Sequence, residues 1–150
     1  MTSRKLSTFR IGGDLFGVPV EDVQEVTRSH EVTPVPLAPE AVTGLMNLRG
    51  QVVTVVDLRV RLGYPPREAG APTANVVVRT SGSAGAAGGI VSLLVDRVEG
   101  FADVTDEQFA ERPDTVTGPA GELVTGAYEL PGRLLLALDL HRAVDVRAAA

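Results

Sequence analysis

VTGLMNLRGQVVTVVDL, which runs from Val42 to Leu58, carries the strongest structural signal in this sequence. An apolar run leads to Arg49 and Gly50, and a valine-rich run follows until Asp57 ends it. Two apolar runs joined by a glycine turn are typical of a hairpin, and β-branched valines pack well on a pleated surface. The stretch therefore predicts two strands, the second buried on both faces, and Asp57 is predicted to cap a helical turn over Leu58 to Leu62.

The same pattern returns near the end of the chain. Residues 124–144 align with residues 42–62 at a constant offset of 82, without a gap and with seven identities in 21 positions. The shared residues form a Val-Thr-Gly start, a turn and an Asp-Leu end: Val42, Thr43, Gly44, Leu48, Gly50, Asp57 and Leu58 match Val124, Thr125, Gly126, Leu130, Gly132, Asp139 and Leu140. A weaker similarity, at an offset of 75, aligns residues 16–23 with residues 91–98. Two copies predict two similar sheets that pack through an apolar seam.

The rest of the chain also reads as short apolar strands separated by glycine, proline and polar turns, with few helix signals. Its 150 residues and 15.7 kDa suit one domain. The small, low-complexity run from Thr80 to Gly89 predicts a flexible hairpin loop between two strands. We therefore expect an all-β fold for residues 1–150, a single domain made of two small β-barrels with one or two short helical turns.

Charge and composition exclude several classes of partner and site. Nineteen acidic and fourteen basic residues give a net charge of -5, so a nucleic-acid backbone would be repelled. The chain has no cysteine, which excludes a disulfide framework, a thiolate nucleophile and a thiolate zinc site. No apolar run approaches the roughly 18 residues that cross a bilayer, so direct membrane insertion is not expected.

Catalytic patterns find no support in the sequence. His30 and His141, the only histidines, lie in different halves, and neither has the neighbours of a metal site or a catalytic triad. Asp57 and Asp139 could form a carboxylate pair, but the duplication gives each of them a capping role. We therefore expect no catalytic residue, no metal and no cofactor.

The duplication also separates two kinds of position. Residues that both copies share are explained by the repeated backbone, so Gly44 and Gly50 are expected to provide close approach or a turn. Residues that differ in character are better candidates for binding. Arg49 corresponds to Pro131, Glu25 to Gly100 and Asn47 to Glu129, and a guanidinium at a hairpin tip can make several directional hydrogen bonds to a partner. These three positions are therefore the first binding candidates.

Five motifs follow one another in a defined order along the chain. They are LFGVPVEDVQEV (Leu15 to Val26), VTPVP with a further proline (Val32 to Pro39), VTGLMNLRGQVVTVVDL (Val42 to Leu58), VSLLVDRVEG (Val91 to Gly100) and LLLALDL (Leu134 to Leu140). Together they resemble the CheW-like domain family from about Phe9 to Val144. The most specific feature is the NLRG turn followed by a valine-rich strand that ends in Asp-Leu. The resemblance implies two five-stranded β-barrels that enclose an apolar core.

The resemblance also implies a function. CheW-like proteins are adaptors that connect the helical cytoplasmic tips of chemoreceptors to the regulatory domain of the histidine kinase CheA, and they catalyse no reaction. Both partners are therefore expected here, in the cytoplasm at membrane-associated receptor arrays. On the family's pattern the receptor tip docks in the groove between the barrels, near Val23, Glu25, Gly44 and Arg49. With Asn47 from the comparison of the two copies, these residues form the expected receptor-binding set.

The expected kinase contact lies in the second half of the chain. The segment from Phe109 to Thr115 is the candidate, with Phe109, Asp114 and Thr115 as its binding residues. Ala110 and Thr115 stand where the family's pattern has a basic residue and an aromatic one. This departure weakens the case for a second, ring-closing contact with the kinase.

Other functions remain open at this point. A CheW-like adaptor could serve an array outside chemotaxis, or the domain could belong to a larger kinase or receiver fusion. An alternative of a different class is an enzyme or a small-ligand-binding barrel that uses the groove as its pocket. That alternative requires a deep cavity in which His141 meets carboxylates at hydrogen-bonding distance.

Overall fold

The computed structural model of the protein describes residues 3–28, 31–80 and 89–146. Its described strands and α-helices are β1 (Ser3–Ile11), β2 (Asp14–Pro19), β3 (Val23–Arg28), β4 (Val42–Leu48), β5 (Gln51–Asp57), α1 (Leu58–Leu62), β6 (Ala74–Thr80), β7 (Gly89–Val95), β8 (Arg97–Thr105), β9 (Phe109–Ala110), α2 (Gly118–Leu123), β10 (Val124–Leu130), β11 (Arg133–Leu138) and α3 (Leu140–Val144). The all-β prediction is confirmed. His30 and most of the loop predicted from Thr80 to Gly89 lie outside the described residues.

The strands form two sheets. The six-stranded sheet has the order β8-β1-β2-β11-β10-β9, and the five-stranded sheet has the order β3-β6-β7-β5-β4. Each sheet contains one parallel pair, β2 with β11 and β5 with β7, between antiparallel neighbours. The two edge strands of each sheet are not paired with one another in the described ladders. Closure of each sheet into a five-stranded barrel therefore stays a prediction.

Both sheets are assembled from both halves of the chain. The first half places β1 and β2 in the six-stranded sheet and β3, β4 and β5 in the five-stranded sheet. The second half does the reverse, since β6 and β7 join the five-stranded sheet and β8 to β11 return to the six-stranded one. The two halves are thus interleaved, and neither contains a complete sheet.

The aligned segments have the same pairing register. In the parallel pair of the six-stranded sheet Phe16 lies opposite Leu136, and in that of the five-stranded sheet Val91 lies opposite Thr54. The offsets of 75 and 82 found in the sequence equate these two pairs. Both hairpins, β4-β5 and β10-β11, also have an irregular step near their first residues. The repeated sequence therefore corresponds to a repeated backbone geometry, bulges included.

The apolar core has three parts. The largest cluster takes side chains from both sheets and fills the seam between them, with Phe9, Ile11, Phe16, Leu58 and Leu93 among its fully buried members. The cluster of the six-stranded sheet contains Leu6, Leu15, Ala102, Val104, Tyr128 and Leu135. The cluster of the five-stranded sheet contains Met46, Leu48, Val53, Val55 and Val77. Each sheet thus buries one face in the shared seam and the other in a small interior of its own.

The short helices begin where the sequence predicts. The carboxylate of Asp57 accepts a hydrogen bond from the Arg59 amide at 3.0 Å, and that of Asp139 accepts one from the Arg142 amide at 3.2 Å. Both capping predictions are confirmed. The prediction that the valine-rich strand is buried on both faces is wrong at Val52, which is 66% exposed because the seam does not extend to that end of β5.

The interleaved topology makes a prediction about fragments of the chain. A cut after Gly70, in the exposed segment between α1 and β6, gives fragments 1–70 and 71–150, each with only part of both sheets. We expect neither fragment to form a folded monomer, because unpaired strand edges and half of the seam would face water. Mixed fragments should recover the circular dichroism spectrum and elute as a 1:1 complex.

The control is the uncut chain under the same conditions. A fragment that folds alone as a monomer, with cooperative thermal unfolding, would contradict the interleaved arrangement as the source of stability.

Candidate functional site

An ion pair connects the two edge strands of the five-stranded sheet. Nη1 of Arg49, at the β4-β5 turn, lies 2.6 Å from Oε2 of Glu25 on β3. The sheet is therefore curved enough to bring its opposite edges within reach of one side chain. The Glu25 side chain is only 18% exposed, whereas that of Arg49 is 78% exposed. Glu25 thus orients a guanidinium whose remaining donors face solvent.

The backbone of this turn is unusual for an arginine. Arg49 has φ of +54° and Gly50 has φ of +85°, so both residues adopt the left-handed conformation. The Asn47 side-chain oxygen accepts a hydrogen bond from the Gly50 amide at 2.8 Å and stabilises the turn. In the second copy Pro131 precedes Gly132, and proline fixes a negative φ, so the equivalent turn differs. The left-handed conformation of Arg49 is therefore not a requirement that the two copies share.

Gly44 lies where the chain packs against itself. Its φ is +152°, and a Cβ atom built on it would lie 2.2 Å from the carbonyl oxygen of Thr33. Thr33 pairs with Leu45 through hydrogen bonds of 2.7 and 2.9 Å, which fixes this approach. Gly126 is equally crowded, since a Cβ atom there would lie 2.3 Å from the ring of Phe109. The expectation that Gly44 permits close approach is confirmed, and its equivalent Gly126 permits one in the second copy.

The structure places the five expected receptor-binding residues on one sheet, in different surroundings. Glu25 and Arg49 are in contact, and Asn47 belongs to the same turn. Val23 lies before the irregular step in β3 and packs partly against the core of the seam. Gly44 faces the backbone of residue 33, inside the protein. Binding of a receptor by these residues stays a prediction.

Of the expected kinase-binding residues, Phe109 also packs against another residue of the protein itself. The Phe109 ring lies edge-on to Tyr128, with centroids 5.2 Å apart, and is 47% exposed. Asp114 and Thr115 are exposed in the turn that precedes α2. The Phe109 ring therefore packs against β10 on one side and remains partly exposed to solvent on the other. A kinase contact at these residues stays a prediction.

Four apolar residues that are exposed on strands were not binding candidates in the sequence. Val26 and Val52 are 41% and 66% exposed on the five-stranded sheet, and Phe101 and Leu134 are 65% and 40% exposed on the six-stranded sheet. The offset of 75 equates Val26 with Phe101, and the offset of 82 equates Val52 with Leu134. The alignment shows that these positions are equivalent, but it gives no information on their exposure.

The histidine of the second copy lies in a small cavity. His141 lines a cavity of about 260 Å³ together with Glu21, Asp22 and Arg79. This volume is below the roughly 300 to 1,000 Å³ of usual ligand pockets. Within residues 3–28, 31–80 and 89–146, no group of three or more His, Cys, Asp or Glu side chains could hold a metal ion. The cavity that His141 lines is therefore not the deep pocket that the enzymatic alternative requires.

Two interleaved sheets, with an exposed ion pair between the edge strands of one of them, define a β-rich interaction protein. A family model described as the CheW-like domain matches residues 5–148, and the chain belongs to that family. It is 33% identical over 137 residues to a protein named chemotaxis protein CheW from Rhizobium meliloti, covering 91% of this chain and 84% of that protein. It is 26% identical over 144 residues to the protein of the same name from Treponema pallidum, covering 92% and 80%.

A solved structure supports the same fold. The crystal structure of scaffolding protein TtCheW from Thermoanaerobacter tengcongensis matches with a TM-score of 0.78 and 25% sequence identity. The match covers 91% of this chain and 89% of that one. The two-sheet architecture of this chain is therefore similar to that of a scaffolding protein.

Gly44→Ala tests the close approach at β4. We expect the free energy of unfolding to fall by about 3 kcal/mol, because the new methyl group collides with a hydrogen-bonded carbonyl that cannot move alone. Gly50→Ala is the matched control, since Gly50 also has a positive φ but has open space around its Cβ position. It should lower the stability by only about 1 kcal/mol, the cost of the backbone conformation.

Urea unfolding of both variants, followed by circular dichroism, separates collision from backbone strain. Equal losses in the two variants would show that Gly44 is required only for its φ, against the packing described here.

Proposed function

We propose that this chain is a chemotaxis adaptor that connects the cytoplasmic tips of chemoreceptors to the regulatory domain of the histidine kinase CheA by non-covalent binding. Membership of the CheW-like domain family supports this proposal, together with relatives that are named chemotaxis protein CheW. The family is one of scaffolds, so the chain acts by binding and not by catalysis.

One observation carries the assignment of the receptor contact. The Arg49 guanidinium is fixed by Glu25 at 2.6 Å but remains 78% exposed. The second copy forms its β10-β11 hairpin and its edge strand β8 with Pro131 and Gly100 at the equivalent positions. Since the repeated fold forms without this ion pair, the pair is available for a partner. A guanidinium held in one orientation loses little conformational entropy when it binds a carboxylate or a carbonyl.

The exposed apolar residues support a second protein contact. Phe101 and Leu134 on one sheet, and Val26 and Val52 on the other, leave apolar surface in water at equivalent places. Phe109 adds a half-exposed ring beside the six-stranded sheet. Aromatic and aliphatic side chains exposed on sheets suit binding to another β-rich domain. We propose that the kinase regulatory domain contacts Phe109, Asp114 and Thr115, with Phe101 and Leu134 as further apolar contacts on the six-stranded sheet.

The proposed location follows from the proposed partners. No helix within the described residues is long and apolar enough to span a membrane. We propose that the chain reaches membrane-associated arrays in the cytoplasm through its contact with receptor tips. An array outside chemotaxis would use the same surfaces with a different kinase, and binding assays with each kinase distinguish the two.

Arg49→Ala should weaken receptor-tip binding by about 1 to 3 kcal/mol, since it removes a pre-oriented charged group from the interface. The thermal midpoint should remain nearly unchanged, because an exposed ion pair contributes little to stability. Arg133→Ala is the matched control: Arg133 is also exposed and follows the equivalent turn of the second copy. Titration calorimetry with a purified receptor-tip fragment measures both variants.

A charge swap separates the internal pair from the external contact. The double variant Glu25→Arg with Arg49→Glu preserves an ion pair between the two strand edges but presents a carboxylate to the partner. We expect it to fold like the native chain and to lose receptor binding. Native affinity in either Arg49→Ala or the swapped variant would remove Arg49 from the proposed interface.

A further inference from the structure

A large cleft of the molecule has a lining rich in basic side chains. It has a volume of about 950 Å³ and lies where β3 and β6 of one sheet meet β1 and β8 of the other, beside the segment that follows α1. Its lining includes the arginines Arg10, Arg28, Arg59, Arg67 and Arg97, and the carboxylates of Glu68 and Asp96. Five arginines and two carboxylates give the lining a formal charge of +3, in a chain whose net charge is -5.

Two of these arginines form the rigid base of the cleft. Nε of Arg67 lies 2.9 Å from Asp96, and its two terminal nitrogens donate to Asp57 at 3.1 and 3.2 Å. Arg59 donates to Asp96 at 2.6 Å, and the Gly12 amide donates to the same carboxylate at 2.8 Å. Burial alone would raise the pKa of Asp96, but these donors outweigh burial and hold that pKa below its usual range. The base is therefore a satisfied network that remains charged at neutral pH.

Of the other three arginines, Arg28 and Arg97 are exposed and are not needed by this network. The Arg97 side chain is 68% exposed and contacts Glu99 at 2.6 Å, on its own strand. Arg28 is exposed at the end of β3, and its guanidinium has no hydrogen bond or ion pair to another residue that the structure describes. The two side chains belong to different sheets, and each lines the wall that its own sheet contributes to the cleft. Both have donors available for a ligand.

The second copy provides an internal comparison. The offset of 75 equates Arg28 with Asp103 and Arg97 with Asp22, and the offset of 82 equates Arg59 with His141. The strand pairing agrees with these equivalences, since Arg28 and Asp103 both lie near the ends of edge strands, opposite β6 and β1 respectively. The repeated backbone therefore accepts the opposite charge at two of the three positions. The positive charge of the cleft is a property of one copy and not a requirement of the fold.

We propose that this basic cleft binds a carboxylate-rich segment of a partner polypeptide, with Arg28 and Arg97 as its contacts on the two walls. Charge complementarity favours such a segment, because guanidinium groups bind carboxylates with directional, charge-assisted hydrogen bonds. Pro66, Pro72 and Val98 also line the cleft, and their apolar atoms suit the aliphatic parts of a peptide. A long polyanion such as nucleic acid would meet repulsion from the rest of the acidic surface.

The binding site is separate from the edge assigned to the receptor. Glu25 and Arg49 do not line this cleft, and the inference does not depend on the adaptor function proposed above. The cleft supplies a third contact surface, for an acidic segment of whichever protein binds there.

Fluorescence anisotropy with a short peptide tests the inference directly. The probe is a dye-labelled hexapeptide of alternating glutamate and alanine, and the reference is the same peptide with glutamine in place of glutamate. At about 100 mM salt, where charges beyond roughly 10 Å are screened, the native chain should bind the glutamate peptide at least about tenfold more tightly than the glutamine peptide. Equal affinity for the two peptides would overturn the proposal.

Variants locate the binding. The double variant Arg28→Gln with Arg97→Gln should weaken binding of the glutamate peptide by about tenfold or more. The control is Arg133→Gln, which makes the same change at an exposed arginine elsewhere. It should leave the affinity within about twofold of the native value. Circular dichroism confirms that the variants are folded.

Two further outcomes decide against the proposal. Equal weakening by Arg133→Gln would show binding by overall charge and not by the cleft. Displacement of the peptide by inorganic phosphate at equimolar concentration would show a site for small oxyanions instead of a site for a polypeptide segment.

Discussion

The structure depends on the apolar seam at which the two halves of the chain exchange strands. Phe9 and Phe16 from the first half of the sequence, and Leu93 from the second, are fully buried in the same cluster. Because each sheet takes strands from both halves, the two halves of the chain cannot separate without breaking strand pairing in both sheets. Removing such large side chains from water contributes on the order of 2 kcal/mol each, so the seam holds the edges and clefts of both sheets in fixed relative positions.

This constraint explains why the function lies in edges and turns. The repeated backbone accounts for residues that both copies share, such as the caps Asp57 and Asp139. Residues that only one copy contains are not required by the repeated backbone. The exposed guanidinium of Arg49 and the basic wall at Arg28 both belong to this second group, and both lie on the surface that the seam keeps rigid. Duplication has therefore given one fold two sets of surface chemistry.

Much of the fold could be predicted from the sequence, because its signals are local. The Asp-Leu stop, the glycine turn and the valine run depend on neighbouring residues, and α1 and β5 lie where the sequence places them. The interleaving could not be predicted, because it depends on which distant strands pair. The exposure of Val52 escaped prediction for a related reason, since periodicity does not show where a seam ends.

The candidate site was predictable in part. Comparing the copies identified Arg49 and Glu25 separately, but their contact required the curvature of a sheet whose edge strands are far apart in order. The basic cleft was missed altogether. Arg28 and Arg97 are 69 residues apart (97 − 28) and belong to different sheets, so no short sequence window contains both. Only the assembled seam brings their strands together.

An adaptor must hold both partners at once, and calorimetry can measure that property directly. A receptor-tip fragment is titrated into this chain alone and into its complex with the CheA regulatory domain. The account predicts binding in both titrations, with affinities that agree within a few fold, because separate surfaces serve the two partners. Competition between the partners, or the absence of binding to either one, would contradict it.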